Sequence, residues 1–376
     1  MKRLHEFDAL RGIAAVAVVF AHLLNYAPAS MGSPYGHWSA PFWSFAANGH
    51  FAVLIFFAIS GFVLSYPYFI GAKAEKNLKL DVANRLPRLL IPVFITGMLC
   101  FVIQMFALSA AGGEQLAPFA SPEWIARWNV SGWDTAREIE FLMTRVFFLY
   151  SETDTMNVNL WTMPVEFAFS LLVFAVGAVV LRRFDIALLL IIISGASIFS
   201  WRADMLEYFL KALAGSVFFL GVLVAYQIDS VRSVVGRRWW MPSVLMIGGL
   251  LVSSVLTRHD MHYLLANALG LMSIFWFFIG FASAPKLREK LDHPFFGFLG
   301  EVSFALYLVH GSILYAVFQI IAAQGDYGMG QFAFGVAISL VLSFALSFVI
   351  ARYVEMPLVG KVRRAIESLI HDTKAA

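Results

Sequence analysis
The chain has 376 residues, of which 60% are hydrophobic and only 14% charged, and its formal net charge is +3. Soluble domains carry about 25% charged residues, so this composition excludes an ordinary water-soluble globular protein. A single cysteine, Cys100, excludes an intrachain disulfide framework and a cysteine-based metal site.

The first apolar window, 10–28, opens with Arg11 and carries His22 inside it. Lys2 and Arg3 before it and Ala27-Pro28-Ala29 after it imitate a cleavable signal peptide. A proline in the cleavage motif and an arginine opening the apolar run fit a retained first span better. Eleven residues at 100° each come within roughly 20° of three full turns, so Arg11 and His22 share a helix face, about 16 Å apart along the axis. Charge at membrane depth is costly and marks a partner, a cavity or a substrate. The alternatives for these two residues are an arginine that snorkels to lipid phosphate and a histidine in a structural hydrogen bond.

The second window, 48–70, has His50 at its outer mouth. The third, 88–110, is preceded by Arg85 and entered at Arg88, one turn apart on one face. Two guanidiniums at that spacing suit bidentate contact with phosphate, although arginines at cytoplasmic helix ends are also ordinary topology signals. The connection 111–160 carries seven acidic residues between Glu114 and Asp154, and Trp124, Trp128, Trp133 and Trp161 suit anchoring at the membrane surface. Within it, 141–150 is too short to span and reads as interfacial or re-entrant.

The fourth window, 161–181, places Glu166 within about two turns of its outer end. Windows at 184–201, 207–226, 242–257 and 262–284 follow. The ninth, 299–323, carries His310 near its middle, with Tyr307 and Ser303 one and two turns below on one stripe. The tenth, 331–354, leads to Arg352 and Glu355 before Pro357, where Glu355 either orients Arg11 or ends the helix. A carboxylate and several imidazoles in a dry bundle suit proton transfer, and they also serve as hydrogen-bonding glue between helices.

Ten spans put both termini on one side. Of the 27 Lys and Arg residues, nineteen then fall at that face and five on the opposite loops, which assigns cytoplasmic termini. The expected fold is therefore an all-α integral membrane bundle of about ten helices, forming one domain over 1–376 with no appended soluble domain.

Five stretches in order resemble the membrane acyltransferase family 3 proteins. They are FDALRGIAAVAVVFAHL (7–23), FFAISGFVLS (56–65), RLPRLLIP (85–92), LWTMPVEFAFSLL (160–172) and GEVSFALYLVHGSIL (300–314), the last followed by the YVEMPL tail (353–358). The resemblance implies transfer of an acyl group, commonly acetyl, from cytoplasmic acyl-CoA to a hydroxyl of a carbohydrate or other acceptor. In many bacterial members the acceptor is a surface polysaccharide or its lipid-linked precursor, handled at the cytoplasmic (inner) membrane. It makes Arg11 and His22 the essential pair of the first span, and Arg85 and Arg88 contacts for the CoA phosphates. One position departs from the family: where many relatives carry an acid ahead of the second-helix motif, this chain has Leu54.

The resulting expectation is an O-acyltransferase with His22, Arg11 and Glu166 as catalytic residues. His22 acts as general base on the acceptor hydroxyl, or as a nucleophile forming an acyl-histidine, and Glu166 orients it or positions the acceptor. Arg85, Arg88, His310, Tyr307, Trp161 and His50 are substrate-binding candidates; Asp8, Glu355, Arg352 and Ser60 are structural or orienting ones. Acetyl-CoA is the expected donor and the lipid bilayer the medium, with no resident cofactor, no metal and no nucleic acid. The acceptor and the oligomeric state stay open. Rival readings are a proton-coupled transporter of a small solute or sugar, an acyltransferase acting on a small metabolite, and a structural membrane subunit.

Overall fold
The computed structural model describes residues 4–28, 48–71, 78–113, 118–119, 121–128, 132–150, 155–180, 206–255 and 263–372. Over these residues the chain is helical, and the only extended pairing among them is one bridge between Pro28 and Phe119. The long helices are α1 (His5–Leu23), α2 (Gly49–Phe69) and α3 (Leu78–Ala110). Two short helices follow, α4 (Pro122–Ala126) and α5 (Thr135–Glu140), and then α6 (Thr162–Val180). Next come α7 (Leu206–Tyr226), α8 (Ile228–Val235), α9 (Met241–Val255), α10 (Tyr263–Ala282) and α11 (Pro285–Leu291). The chain closes with α12 (Pro294–Ala322), α13 (Met329–Val349) and α14 (Met356–Asp372).

Among the described residues, five stretches are long and apolar enough to cross a bilayer: His5–Tyr26, Gly49–Phe69, Leu78–Ala110, Pro294–Ala322 and Met329–Ile370. The count rises to seven if each of two pairs bent by 79°, Gly215–Tyr226 with Ile228–Val235 and Ala268–Ala282 with Pro285–Leu291, is one span. The described residues thus bear out a multi-span helical protein, with five to seven of the ten expected windows meeting the length requirement among them. Window 242–257 is entered by α9, Met241–Val255, and its last two residues lie outside the described residues. Window 184–201 lies outside the described residues.

By contacts the residues group into two compact units, Met1–Ala14 with His50–Arg85 and Val165–Gly300, and Ala15–Gly49 with Leu86–Pro164 and Glu301–Ala376. In the first, Phe7 stacks on Phe62 with ring centroids 4.4 Å apart, and Phe281 meets Phe7 edge-on at 5.6 Å. A Cβ on Gly61 of α2 would run into the backbone carbonyl of Phe218 on α7. Helices surrounded by lipid gain little from apolar burial against one another, so close backbone approach through small residues supplies the packing. Arg288 of α11 lies 3.7 Å from the Glu6 carboxylate.

In the second unit, Tyr26 stacks on Phe318 at 4.7 Å, and the Tyr327 hydroxyl donates to the Tyr26 carbonyl at 2.6 Å. The segment 141–150 opens with a π-helical turn, Phe141–Arg145, whose Leu142 side chain fills the space beside Gly97 of α3. Phe141, Leu142, Val146, Phe147 and Tyr150 are buried while Met143, Phe148 and Leu149 are exposed. The segment is therefore a wedge with one face against the protein.

Candidate active site
His22 is the second-to-last residue of α1. A 3-10 turn, Leu24–Tyr26, continues the chain, and the Asn25 side-chain amide donates back to the carbonyls of Ala21 and His22 at 3.3 and 3.4 Å. Carbonyls at a helix end lack intrahelical donors, so Asn25 meets a need of that end and fixes the backbone that carries the imidazole. The His22 side chain is half-buried. Its Nδ1 lies 2.9 Å from Nε2 of His310, and the two rings lie 5.0 Å apart at 25°. His310 is completely buried, and its Nδ1 lies 2.8 Å from the Leu306 carbonyl one turn earlier on α12.

Aromatic rings surround this pair. Trp124 of α4, half-buried, places its ring 5.0 Å from that of His22. Tyr26 and Trp128 lie 5.6 and 5.5 Å from Trp124, and both are fully buried. The Trp128 Nε1 and the Tyr26 hydroxyl have no hydrogen-bond partner among the described residues. Buried polar groups are nearly always paired, so these two atoms, beside the ring of Trp124, depart from the rule.

The 155–162 connection is bolted to α12 beside His310. Asn157 donates its side-chain amide to the Leu308 carbonyl at 2.8 Å, and Asn159 donates to the Tyr307 carbonyl at 3.2 Å. The Tyr307 hydroxyl donates to the Asn159 carbonyl at 2.9 Å and accepts from Thr162 at 3.2 Å. Gln104 of α3 donates to Ser312 at 2.7 Å and to the Met156 carbonyl at 3.0 Å. Trp161, half-buried, stands at the end of this connection.

A separate polar cluster lies in the other unit. Arg85 of α3 is buried; its Nε donates to the Ser170 hydroxyl at 2.7 Å, and its guanidinium pairs with the Glu166 carboxylate. Glu166 and Ser170, four residues apart, face Arg85 from one side of α6. The carboxylate that the sequence reading associates with His22 or the acceptor is thus engaged with one of the two arginines assigned to phosphate. The second arginine, Arg88, is exposed.

Arg11 and Asp8 are half-buried on α1, His50 is exposed at the start of α2, and Ser60 is buried on α2. Arg352 is exposed and lies 3.5 Å from the Glu301 carboxylate; Glu355 is half-buried. Glu138, absent from the candidates drawn from sequence, is buried on α5 and accepts a hydrogen bond from Trp133 Nε1 at 2.7 Å. Burial pushes its carboxyl up to about 7, against the opposing pull of the Trp133 N–H. The Arg137 guanidinium stacks 4.0 Å over the Trp133 ring. No cluster of three or more His, Cys, Asp or Glu side chains able to hold a metal occurs among the described residues.

Trp124, Asn157, Asn159 and Gln104 are also additions to the sequence candidates around His22 and His310. For the two asparagines, the pair Asn157 and Asn159 just ahead of an apolar helix is the sequence signal that points to them. A family model described as an acyltransferase domain, that of acyltransferase family 3, matches residues 4–352. No curated protein and no solved structure matches the chain.

Proposed function
Because the chain belongs to acyltransferase family 3, whose model covers residues 4–352, and is a multi-pass membrane acyltransferase, we propose that it moves a small acyl group, acetyl in the first instance. The donor is cytoplasmic acyl-CoA and the acceptor a carbohydrate hydroxyl, on a cell-surface polysaccharide or its lipid-linked precursor. The observation that carries this reading is the half-buried His22 imidazole, held by Asn25 at the helix end and set against Trp124 and His310.

His22 takes the proton of the acceptor hydroxyl as its oxygen attacks the thioester carbonyl. The new C–O bond forms and the C–S bond breaks. The proton then passes from the imidazole to the departing thiolate, giving an ester and free CoA. The apolar face of a pyranose suits the ring of the half-buried Trp124. Arg11, about 16 Å from His22 along the same helix, is assigned to the donor, a length of the order of an extended pantetheine arm. The exposed Arg88 contributes phosphate contacts. Glu166 and Arg85, engaged with each other, hold the helices that carry them.

The test is acyl transfer from labelled acetyl-CoA by the purified full chain in nanodiscs, supplied with glycan fractions from the cell that makes it. His22→Ala and Arg11→Ala each lower transfer by about 10²-fold or more. Transfer at the wild-type rate in both variants overturns the proposal.

A further inference from the structure
The Leu306 carbonyl only accepts hydrogen bonds, so the His310 nitrogen 2.8 Å from it, Nδ1, carries hydrogen. The opposite assignment would set two lone pairs against each other at that distance. A neutral imidazole protonated at Nδ1 presents a lone pair at Nε2. That lone pair faces His22 Nδ1 at 2.9 Å, so His22 Nδ1 carries the next hydrogen and donates it. The neutral form of His310 also suits its site, since the residue is completely buried with a carbonyl and another imidazole at its ring nitrogens.

We propose that His310 is a positioning residue that sets the tautomer of His22, with the Leu306 carbonyl as the anchor of the chain. His22 is then protonated at Nδ1 and basic at Nε2. The inference rests on the reading of His22 as general base, and it gives that base a defined atom. In the reaction, Nε2 of His22 receives the acceptor hydroxyl proton and later releases it to the thiolate sulfur. While His22 is an imidazolium, its Nδ1–H bond to His310 becomes charge-assisted and stronger. His310 neither gains nor loses a proton over the cycle. Its role corresponds to that of an orienting group behind a catalytic histidine, filled here by a second imidazole. Free histidine favours hydrogen at Nε2, so without His310 the basic nitrogen would sit on the wrong side of the ring.

The experiment is nitrogen NMR of the full chain, labelled with 15N-histidine in nanodiscs at about pH 8, where an unperturbed imidazole is neutral. The variants His22→Ala and His310→Ala assign the two rings. In the wild type, His22 and His310 both show a protonated Nδ1 and a bare, pyridine-type Nε2. In His310→Ala, the His22 hydrogen moves to Nε2. His310→Gln, whose amide oxygen accepts from Nδ1–H, preserves the wild-type tautomer. Turnover of labelled acetyl-CoA falls about 10²- to 10⁴-fold in His310→Ala, the contribution a positioned general base makes, and is partly restored in His310→Gln. A wild-type His22 with hydrogen on Nε2 overturns the proposal, as does an unchanged His22 tautomer in folded His310→Ala. If His310→Ala does not fold, the wild-type spectrum alone decides between the tautomers. Retained acyl transfer in His22→Ala, with the tautomers as assigned, would instead remove the general-base reading and leave the His310–His22 assignment standing.

Discussion
Glu138 is a carboxyl that folding places where its charge is unwelcome. It is buried, with one N–H donor from Trp133, and its folded-state pKa rises from about 4.5 to about 7. Between those values the folded protein binds more protons than the unfolded chain, so stability falls as pH rises through this window. The expected outcome is a thermal midpoint that is higher near pH 5 than near pH 8 by an amount that Glu138→Gln removes. Thermal unfolding of both proteins across that range measures it; identical pH profiles would refute the effect. His22 and His310 show the other way a single residue acquires meaning. Each is a polar residue on an apolar helix with more than one possible role until its ring nitrogen lies 2.9 Å from that of the other.

Among elements, α3 and α6 are tied by a clamp in which Arg85 holds both Glu166 and Ser170. Arg85 is 6% exposed and Glu166 15%, so removing one partner leaves the other charge largely desolvated. Glu166→Ala is expected to destabilise the protein by about 3–5 kcal/mol, whereas Arg85→Met with Glu166→Leu costs much less. Denaturation of the single and double variants in detergent measures the difference, and equal losses would show that the pair is not a clamp. The 155–162 connection meets α12 on the same principle. Asn157 and Asn159 bond to carbonyls of Leu308 and Tyr307 that already serve the helix, so a loop without strands or long helices is held firmly beside His310. The clamp and the loop were only half legible in the sequence. RLPRLLIP and NLWTMPVE announce polar residues at helix ends, but spacing along the chain carries no information about a partner 81 residues away.

For the whole molecule, the expected ten spans would set Lys and Arg on one set of loops, a pattern that orients a membrane protein by the positive-inside rule. The last helix, α14, carries Lys361, Arg363 and Arg364 among exposed apolar residues such as Leu358 and Leu369, the composition of a helix lying along an anionic membrane surface. Both termini are expected on the cytoplasmic side. Reporter fusions at each end, one active only inside and one only outside, check this, and opposite locations for the two ends would refute an even number of crossings.

Membrane residence, helical secondary structure and the common face of Arg11 and His22 were determined by the sequence alone. Apolar length and the 3.6-residue period are local properties, and the bilayer imposes them segment by segment. The family signature was equally local, since its motifs are short and ordered. Tertiary structure alone decided which polar groups meet: His22 with a histidine 288 residues away, Glu166 with Arg85, and Trp124 with the imidazole rather than only with the membrane surface. Those encounters depend on how helices pack, and packing is set by many small contacts at once, such as that of Gly61 with Phe218. No single stretch of sequence contains them.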